Sequence, residues 1–362
     1  MEYLAWFILS FIVLQFLVAL INFLFAEKMN TPWTGDLPLV SILVPARNEE
    51  HNIEKLIRSV IEQNYSNFEL IVCDDQSEDR TAEIVQKFIQ SDQRIQLIQK
   101  SELPDGWLGK NHTCHTLAEK AVGEYFLFLD ADVRIENDII SQTIAHQKRH
   151  QLSLISIFPK QNMTSNAEKK TVPIMNYILL SLLPLILVRK TNFASIAAAN
   201  GQFMFFHAQK YRALNPHEKV RSNKVEDIAI ARLYKQNKHR ISCLANHSGV
   251  TCQMYQSYYE AVNGFSRNIA AYFGNSLFLA LFFWIVTTFG FLFIIVYLNW
   301  LYLLLFLLLY LATRIIVSLT SHQSVADNLR FVFHQQLAMG QIILQSIKHQ
   351  IKKQQQWKGR NI

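Results

Sequence analysis

The most continuous hydrophobic stretch lies near the start of the chain. Between Leu4 and Phe25 the strongly polar residues are Gln15 and Asn22, and about twenty apolar residues suffice for a helix to cross a hydrocarbon core. The stretch has neither a basic leading region nor a cleavage site of small residues, which distinguishes it from a signal peptide. We therefore predict that residues 1–27 form an uncleaved transmembrane anchor, with a buried core helix as the alternative.

A second apolar block covers residues 272–318, which is too long for one membrane span and fits two. It contains no charged residue before Arg314, and Asn299 followed by Trp300 marks the predicted turn. We expect a hairpin of two transmembrane helices, which returns the chain to the side of the membrane from which it came.

Residues 325–362 are moderately amphipathic and end in a basic tail. The basic residues of this tail are Lys348, Lys352, Lys353, Lys358 and Arg360. An amphipathic helix with basic flanks is typical of a segment that lies on an anionic membrane surface. By the positive-inside rule, the tail and the large middle region belong in the cytoplasm. The predicted location is thus the cell (inner) membrane, with several spans.

The middle region, residues 38–268, is long enough for a soluble domain, and its first half alternates between strand and helix periodicity. Residues 39–45 and 68–73 are continuous apolar runs typical of buried strands, and the apolar positions of 53–61 fall on one helical face. A helix over 79–90, a strand over 95–98, a helix over 111–121 and a strand over 124–129 continue the series. This alternation predicts an α/β domain with a parallel sheet and helices on both faces.

Residues 171–190 form a further apolar stretch, which Pro173 and Pro184 interrupt. A membrane span here would place the two halves of the middle domain on opposite sides of the membrane. We favour a helix that lies in the interface or is buried, where it could form a wall for an apolar acceptor.

Composition and charge narrow the class of partner. Half of the residues are hydrophobic and the formal net charge is +7, but the basic residues are scattered rather than gathered on a helix or an RNA-binding pattern. An anionic membrane surface explains this charge better than nucleic acid does. The four cysteines have no CxxC spacing, so we expect reduced thiols and no structural zinc site.

Acidic residues follow three of the predicted strands, where ligands of a parallel sheet gather. Pro45-Ala46-Arg47-Asn-Glu49-Glu50 follows the first, Asp74-Asp75 the second and Asp130-Ala131-Asp132 the last. Two carboxylates separated by one residue offer the oxygen ligands that Mg²⁺ or Mn²⁺ prefers. A solvated acidic turn is the alternative for each cluster taken alone, and their shared position at strand ends favours one nucleotide site.

Three further positions carry candidate chemistry. Lys110 stands at a predicted helix start, where it could pair with a diphosphate. Glu226 and Asp227 begin another helix, and a carboxylate there could deprotonate an acceptor hydroxyl or simply complement the helix dipole. Arg267 could contact either a diphosphate or anionic lipid head groups.

Together these motifs resemble the family 2 glycosyltransferases with the GT-A fold, a Rossmann-like fold of nucleotide-diphospho-sugar transferases, over residues 38–268. The matching motifs are PARNEE (45–50), CDDQSEDRT (73–81), GWLGK (106–110), DAD (130–132) and ED (226–227). Within the family, the predicted membrane segments, GWLGKNHTC (106–114) and WKGR (357–360) are most similar to the diaponeurosporenoate glucosyltransferases of carotenoid biosynthesis. Hopanoid-pathway and ceramide glucosyltransferases are more distant likenesses.

The resemblance implies roles for the site residues. Asp75, supported by Asp74, would hydrogen-bond the nucleotide base; Asp130 and Asp132 would contact the ribose and the metal. Asp227, beside Glu226, would be the general base of an inverting single displacement. The implied nucleotide-sugar pocket also includes Pro45, Ala46, Arg47, Glu49, Lys110, Ala131 and Arg267.

The expected reaction moves a hexose from a nucleotide-diphospho-sugar, with UDP-glucose favoured, to a lipid-like acceptor such as a carotenoid acid or hopanoid. Processive members carry a Q-x-x-R-W motif where this chain reads NGFSRN (263–268), which favours transfer of one sugar.

A polyprenyl-phosphate or glycolipid glycosyltransferase is the alternative, because it would share every motif. A nucleotidyltransferase usually has a glycine-rich loop with a lysine or arginine after the first strand, and this chain has ARNEE (46–50) there. A non-catalytic membrane protein with this fold would lack a metal carboxylate or the candidate base, and this chain has both.

Overall fold

The computed structural model describes residues 1–100, 102–136, 138–352, 356–357 and 360–361. Its strands are β1 (Val40–Ala46), β2 (Phe68–Asp74), β3 (Ile95–Gln99), β4 (Tyr125–Leu129), β5 (Val133–Ile135), β6 (Leu154–Gln161), β7 (Phe203–His207), β8 (Ile241–Cys252), β9 (Gln356–Trp357) and β10 (Arg360–Asn361). The first eight form one sheet in the order β3-β2-β1-β4-β7-β6-β8-β5, and the last two pair with each other.

Helices surround the sheet and extend beyond it at both ends of the chain. They are α1 (Glu2–Leu24), α2 (Ile53–Ile61), α3 (Thr81–Ile89), α4 (Gly109–Lys120), α5 (Ile139–His150), α6 (Asn166–Thr171), α7 (Pro173–Leu182), α8 (Leu185–Lys190), α9 (Ala208–Leu214), α10 (Pro216–Lys219), α11 (Glu226–Gln236), α12 (Tyr258–Asn268), α13 (Leu277–Tyr297), α14 (Trp300–Thr320), α15 (Val325–Arg330) and α16 (Val332–Lys352). Short 3₁₀ helices occupy Ala194–Ile196 and Ile269–Phe273.

The first four strands pair in parallel, as their alternation with helices predicts. Successive side chains of β1 point to opposite faces of the sheet, so that Ile42 and Val44 join the core beneath α2 and α5 while Leu43 joins the core beneath α4. The register aligns Ala46 with Asp74, which brings the ends of β1 and β2 level. The chain segments that follow these strands therefore meet at one edge of the sheet.

The second half of the sheet, which the predicted alternation does not cover, is mixed. Strand β7 runs antiparallel to both β4 and β6, β5 runs antiparallel to β8, and only β6 and β8 are parallel there. The physical reason is the connection between β6 and β7. It passes through α6, α7 and α8 rather than through one crossover helix, so that the chain re-enters the sheet from the opposite end.

Three helices, α1, α13 and α14, are long and apolar enough to cross a membrane by length and composition. They lie where the sequence predicts apolar spans, and Asn299 caps the start of α14 at the predicted turn. The three pack on one another around a cluster that includes Ile8, Ile12 and Phe306. Many of their other large apolar side chains remain exposed, as on a surface that faces lipid.

The apolar stretch over 171–190 folds largely as α7, a short buried helix, and α8, of which Leu185 and Val188 are buried. With ten residues, α7 spans about 15 Å, half of a hydrocarbon core. Its side chains are almost all buried, and it packs against α1 and α14. Of the interpretations open at the sequence level, the structure matches the buried helix.

Helix α16, predicted as an interfacial segment, packs on the helical hairpin. Trp284 Nε1 donates to the carbonyl oxygen of Gln336 at 2.8 Å, and Arg314 Nη1 donates to Gln335 Oε1 at 3.1 Å. On the opposite side Phe333 and Leu337 are exposed. This exposed apolar face is what an interfacial helix requires. Two residues of the predicted basic tail, at positions 353 and 358, lie outside the described residues.

Candidate active site

A cavity of about 820 Å³ opens at the edge of the sheet where β1, β2 and β4 end. The predicted site residues that line it are Pro45, Ala46, Arg47, Glu49, Asp75, Lys110, Asp130, Ala131, Asp132, Glu226, Asp227 and Arg267. Segments separated by more than two hundred residues in the chain thus meet in one place. Asp74 is the exception, because its side chain does not line the cavity.

Asp74 and Asp75 have different surroundings although they are adjacent. Asp74 is buried and accepts hydrogen bonds from the backbone N–H and the hydroxyl of Ser77, which fixes the turn after β2. Asp75 faces the cavity and pairs with Lys100 Nζ at 3.3 Å, and both of these side chains are buried. Arg47 Nη1 donates to the carbonyl oxygen of Asp75 at 2.6 Å and so ties the ends of β1 and β2 together.

Lys110 joins the two acidic clusters. Its Nζ lies 2.9 Å from Asp130 Oδ1 and 3.0 Å from Glu226 Oε1. Burial opposes the charged form, but the neighbouring carboxylates Asp130 and Glu226 raise the pKa of Lys110 well above its ordinary value. The lysine is thus a fixed positive charge between the end of β4 and the start of α11.

Asp132 is held by two residues that sequence reasoning missed. Gln202 Nε2 donates to its two carboxylate oxygens at 3.2 and 3.4 Å, and Cys252 Sγ lies 3.2 Å from Oδ2. Burial, and then the negative charge of Asp130, raise the pKa of Asp132 to about 6. Gln202 follows an Asn-Gly turn that leads into β7, and that turn is the signal that could have indicated a strand end near the site.

The arrangement around Asp130 and Asp132 fits a divalent cation. Both side chains supply hard oxygen ligands, and their mutual repulsion is the kind that a cation relieves. The side-chain oxygen of Gln202 is also buried without a hydrogen-bond partner beside them. Within the described residues, no group of three or more His, Cys, Asp or Glu side chains is placed to hold a metal ion. A cation here would therefore take its remaining ligands from water or from a bound diphosphate.

Asp227 lies in the first turn of α11, and two backbone N–H groups orient its side chain. Its Oδ2 accepts from Gly201 N at 2.9 Å and its Oδ1 from Ile228 N at 2.7 Å. Burial, and then the charge of Glu226, raise the pKa of Asp227 to about 7. A carboxylate with that pKa is suited to accept a proton at neutral pH.

Gly201 is a third residue that the sequence did not single out. A Cβ atom at this position would lie 3.2 Å from Lys110 Nζ and 3.3 Å from Glu226 Oε1. Because a glycine stands there, the backbone approaches both charged groups and donates to Asp227. The sequence signal is the same Asn-Gly turn.

The comparisons with known proteins agree with this geometry. Residues 41–212 match the family model described as glycosyl transferase family 2. The chain is 24% identical, over 241 residues, to the 4,4'-diaponeurosporenoate glycosyltransferase of Staphylococcus haemolyticus, a match that covers 64% of this chain and 61% of that protein.

Two further likenesses extend the comparison. Over 94 residues the chain is 44% identical to the UDP-Glc:alpha-D-GlcNAc-diphosphoundecaprenol beta-1,3-glucosyltransferase of Escherichia coli, which covers 26% of this chain and 35% of that protein. Both curated relatives are therefore matched over less than two thirds of their length. The structure of a mannosyltransferase from Pyrobaculum calidifontis, in complex with GDP-Man and Mn²⁺, superposes with a TM-score of 0.58 at 15% identity and covers 96% of this chain and 98% of that one. That likeness establishes the GT-A fold.

Proposed function

We propose, from the family 2 glycosyltransferase domain that this chain carries, that it transfers one hexose from a nucleotide-diphospho-sugar to a lipid-like acceptor at a membrane. UDP-glucose is the favoured donor and a carotenoid acid or hopanoid the favoured acceptor. The observation that carries the proposal is the convergence of Lys110, Asp130, Asp132 and Asp227 in one cavity. The two curated relatives support it, since their names give a diaponeurosporenoate and a diphosphoundecaprenol as acceptors.

The nucleotide would lie along the ends of β1, β2 and β4. Asp75 would face the base and Asp130 the ribose, with Pro45 and Glu49 along the wall. A divalent cation held by Asp130 and Asp132 would supply positive charge against the leaving diphosphate. The charge of Lys110, which lies beside Asp130, would act on the same diphosphate.

The acceptor would react from the side of α11. When the acceptor presents a hydroxyl, Asp227 accepts its proton as that oxygen bonds to the anomeric carbon; a carotenoid acid would react as its carboxylate and release no proton. The bond from that carbon to the diphosphate oxygen breaks, and the nucleoside diphosphate leaves with the electron pair. The anomeric configuration inverts because one displacement occurs. Backbone bonds from Gly201 and Ile228 keep the Asp227 carboxylate oriented for this step.

We also propose a membrane arrangement. Helices α1, α13 and α14 cross the cell membrane, and the domain over 38–268 lies in the cytoplasm, where nucleotide-sugars are made. Two or three spans make a poor channel for a polymer, which supports transfer of a single sugar.

The test is a transfer assay with the purified full chain in detergent. Radiolabelled UDP-glucose, Mn²⁺ and a total lipid extract are supplied to wild type, Asp132→Asn, Asp227→Asn and the control Asp36→Asn, whose side chain is exposed away from the cavity. We expect label in a lipid fraction with wild type and the control, and a loss of at least about a hundredfold with the other two variants. Equal transfer by wild type and Asp227→Asn would exclude the role of that residue, and absence of transfer and of nucleotide binding in wild type would exclude the function.

A further inference from the structure

A second cavity, of about 570 Å³, lies beside the first one. The two share Asn223, Lys224, Val225 and Arg267 in their walls. Helix α11 contributes side chains to both cavities. Glu226 and Asp227 face the first cavity, whereas Ile228, Ala229 and Arg232 line the second. A molecule in the second cavity would therefore be a direct neighbour of the candidate base.

The second cavity is lined by basic side chains. Its charged or titratable lining residues are Lys224, Arg232, Arg267 and His349, and no acidic residue is found among the described residues that line it. Arg232 and Arg267 are half-buried, and neither forms an ion pair with a carboxylate of the described residues. Because burying a charge without a partner is unfavourable, such a cavity attracts an oxyanion.

The cavity also lies at the start of the apolar hairpin. Ala270 and Ala271 belong to the 3₁₀ helix that leads into α13, and Asn275 lies two residues before α13 begins. His349 comes from α16, whose exposed apolar face points away from the hairpin. A ligand held here would have its polar end beside the start of α13, a helix that is long and apolar enough to cross a membrane.

We propose that this second cavity binds an anionic group of an amphiphilic acceptor, a carboxylate or a phosphate that lies beside the reacting hydroxyl. The proposal rests on the proposed function and narrows it, because it selects anionic acceptors over neutral ones such as a hopanoid alcohol or a diacylglycerol. Arg232 would be the specificity-determining residue, since it lines the second cavity and not the first.

The test compares two lipids that share a tail and differ in the phosphate. Oleoyl lysophosphatidic acid and monooleoylglycerol are titrated onto the full chain in neutral detergent, and binding is followed by native mass spectrometry. We expect wild type to bind the phosphate-bearing lipid at least about tenfold more tightly, Arg232→Gln to lose that preference, and the exposed control Arg240→Gln to keep it. Inorganic phosphate alone at the same concentration should not displace the lipid.

Three results would overturn the proposal. They are an equal affinity of wild type for the two lipids, an unchanged preference in Arg232→Gln, and displacement by inorganic phosphate as effective as by the lipid, which would indicate a site for a soluble anion. Binding of UDP or GDP with Mn²⁺ to the first cavity is measured on the same samples. Intact nucleotide binding in Arg232→Gln shows that the variant is folded, and its absence in wild type would count against the proposed function and not against the lipid site.

Discussion

The protonation and orientation of individual side chains in the first cavity depend on neighbours both adjacent and distant in the chain. Asp227 combines burial, a like charge on Glu226 and two backbone donors. The first two raise its pKa, the donors and the charge of Lys110 lower it, and the balance leaves the pKa at about 7. A carboxylate poised there is protonated in mildly acidic solution and ionised above neutral pH.

The pH dependence of transfer should reflect this balance. As a general base Asp227 must be ionised, so we expect kcat/KM to fall about tenfold per pH unit below pH 7. Glu226→Gln removes a negative neighbour, which lowers the pKa of Asp227 and shifts the acidic limb to lower pH. The exposed control Glu124→Gln should leave the limb in place. An acidic limb at the same pH in Glu226→Gln and wild type would contradict this assignment.

Asp132 depends on Gln202 for its orientation. We expect Gln202→Leu to raise the Mn²⁺ concentration at half-maximal activity by about tenfold or more, because loss of a group that orients a metal ligand typically weakens metal binding to this extent. The measurement is a Mn²⁺ titration of transfer. Gln236→Leu, at an exposed position on α11, is the matched control and should not alter the titration. An unchanged Mn²⁺ requirement in Gln202→Leu would rule out the orienting role.

At the scale of elements, the side chain of Asn22 on α1 forms hydrogen bonds with the backbone where α7 ends and α8 begins. Asn22 Nδ2 donates to the carbonyl oxygens of Leu180 and Leu183, both at 2.9 Å, and its Oδ1 accepts from Leu185 N at 2.7 Å. The first N–H groups of a helix have no partner within that helix. Asn22 supplies the missing partner for α8 and accounts for one of the two strongly polar residues of the first apolar stretch.

Replacing Asn22 should therefore destabilise the fold. Asn22→Ala leaves one N–H and two carbonyl groups without this partner at a buried site, which costs about 3 kcal/mol. We expect the apparent midpoint of thermal unfolding in detergent, followed by tryptophan fluorescence, to fall by several degrees. Asn30→Ala, an exposed asparagine just after α1, serves as the control. Similar midpoints for both variants would show that the break is stabilised by other contacts.

At the scale of the whole molecule, the proposed orientation places the turn of the α13–α14 hairpin and the domain over 38–268 on opposite sides of the membrane. The four native cysteines are buried and unpaired, so they should label slowly. A cysteine introduced at the exposed Trp300, the first residue of α14 after the hairpin turn, would face the outside of the membrane. One introduced at the exposed Glu124, on the domain over 38–268, would face the cytoplasm in this orientation.

The orientation can be checked with a membrane-impermeant maleimide on whole cells. We expect Trp300→Cys to be labelled in intact cells and Glu124→Cys only after permeabilisation, because the hairpin turn and the domain lie on opposite sides. The reverse pattern would place the domain outside. Labelling of both in intact cells would mean that the hairpin does not cross the membrane.

The sequence by itself determined the elements and most of the candidate site. Apolar runs long enough to span a membrane, and strands that alternate with helices, are properties of contiguous residues, and therefore α1, α13, α14 and β1–β4 lie where their patterns predict. Acidic residues directly after strands were placed at one edge by the rule that parallel strands end together.

Only the tertiary structure decided how distant segments combine. The antiparallel insertion of β7 brings the Asn-Gly turn at 200–201 against Asp227, and β8 brings Cys252 against Asp132. The position of Arg232 beside a second cavity likewise depends on how α11, α12 and α16 pack together. Such contacts join residues that are not related by any local period, since pairing across a sheet and packing between helices are selected by the burial of the whole core.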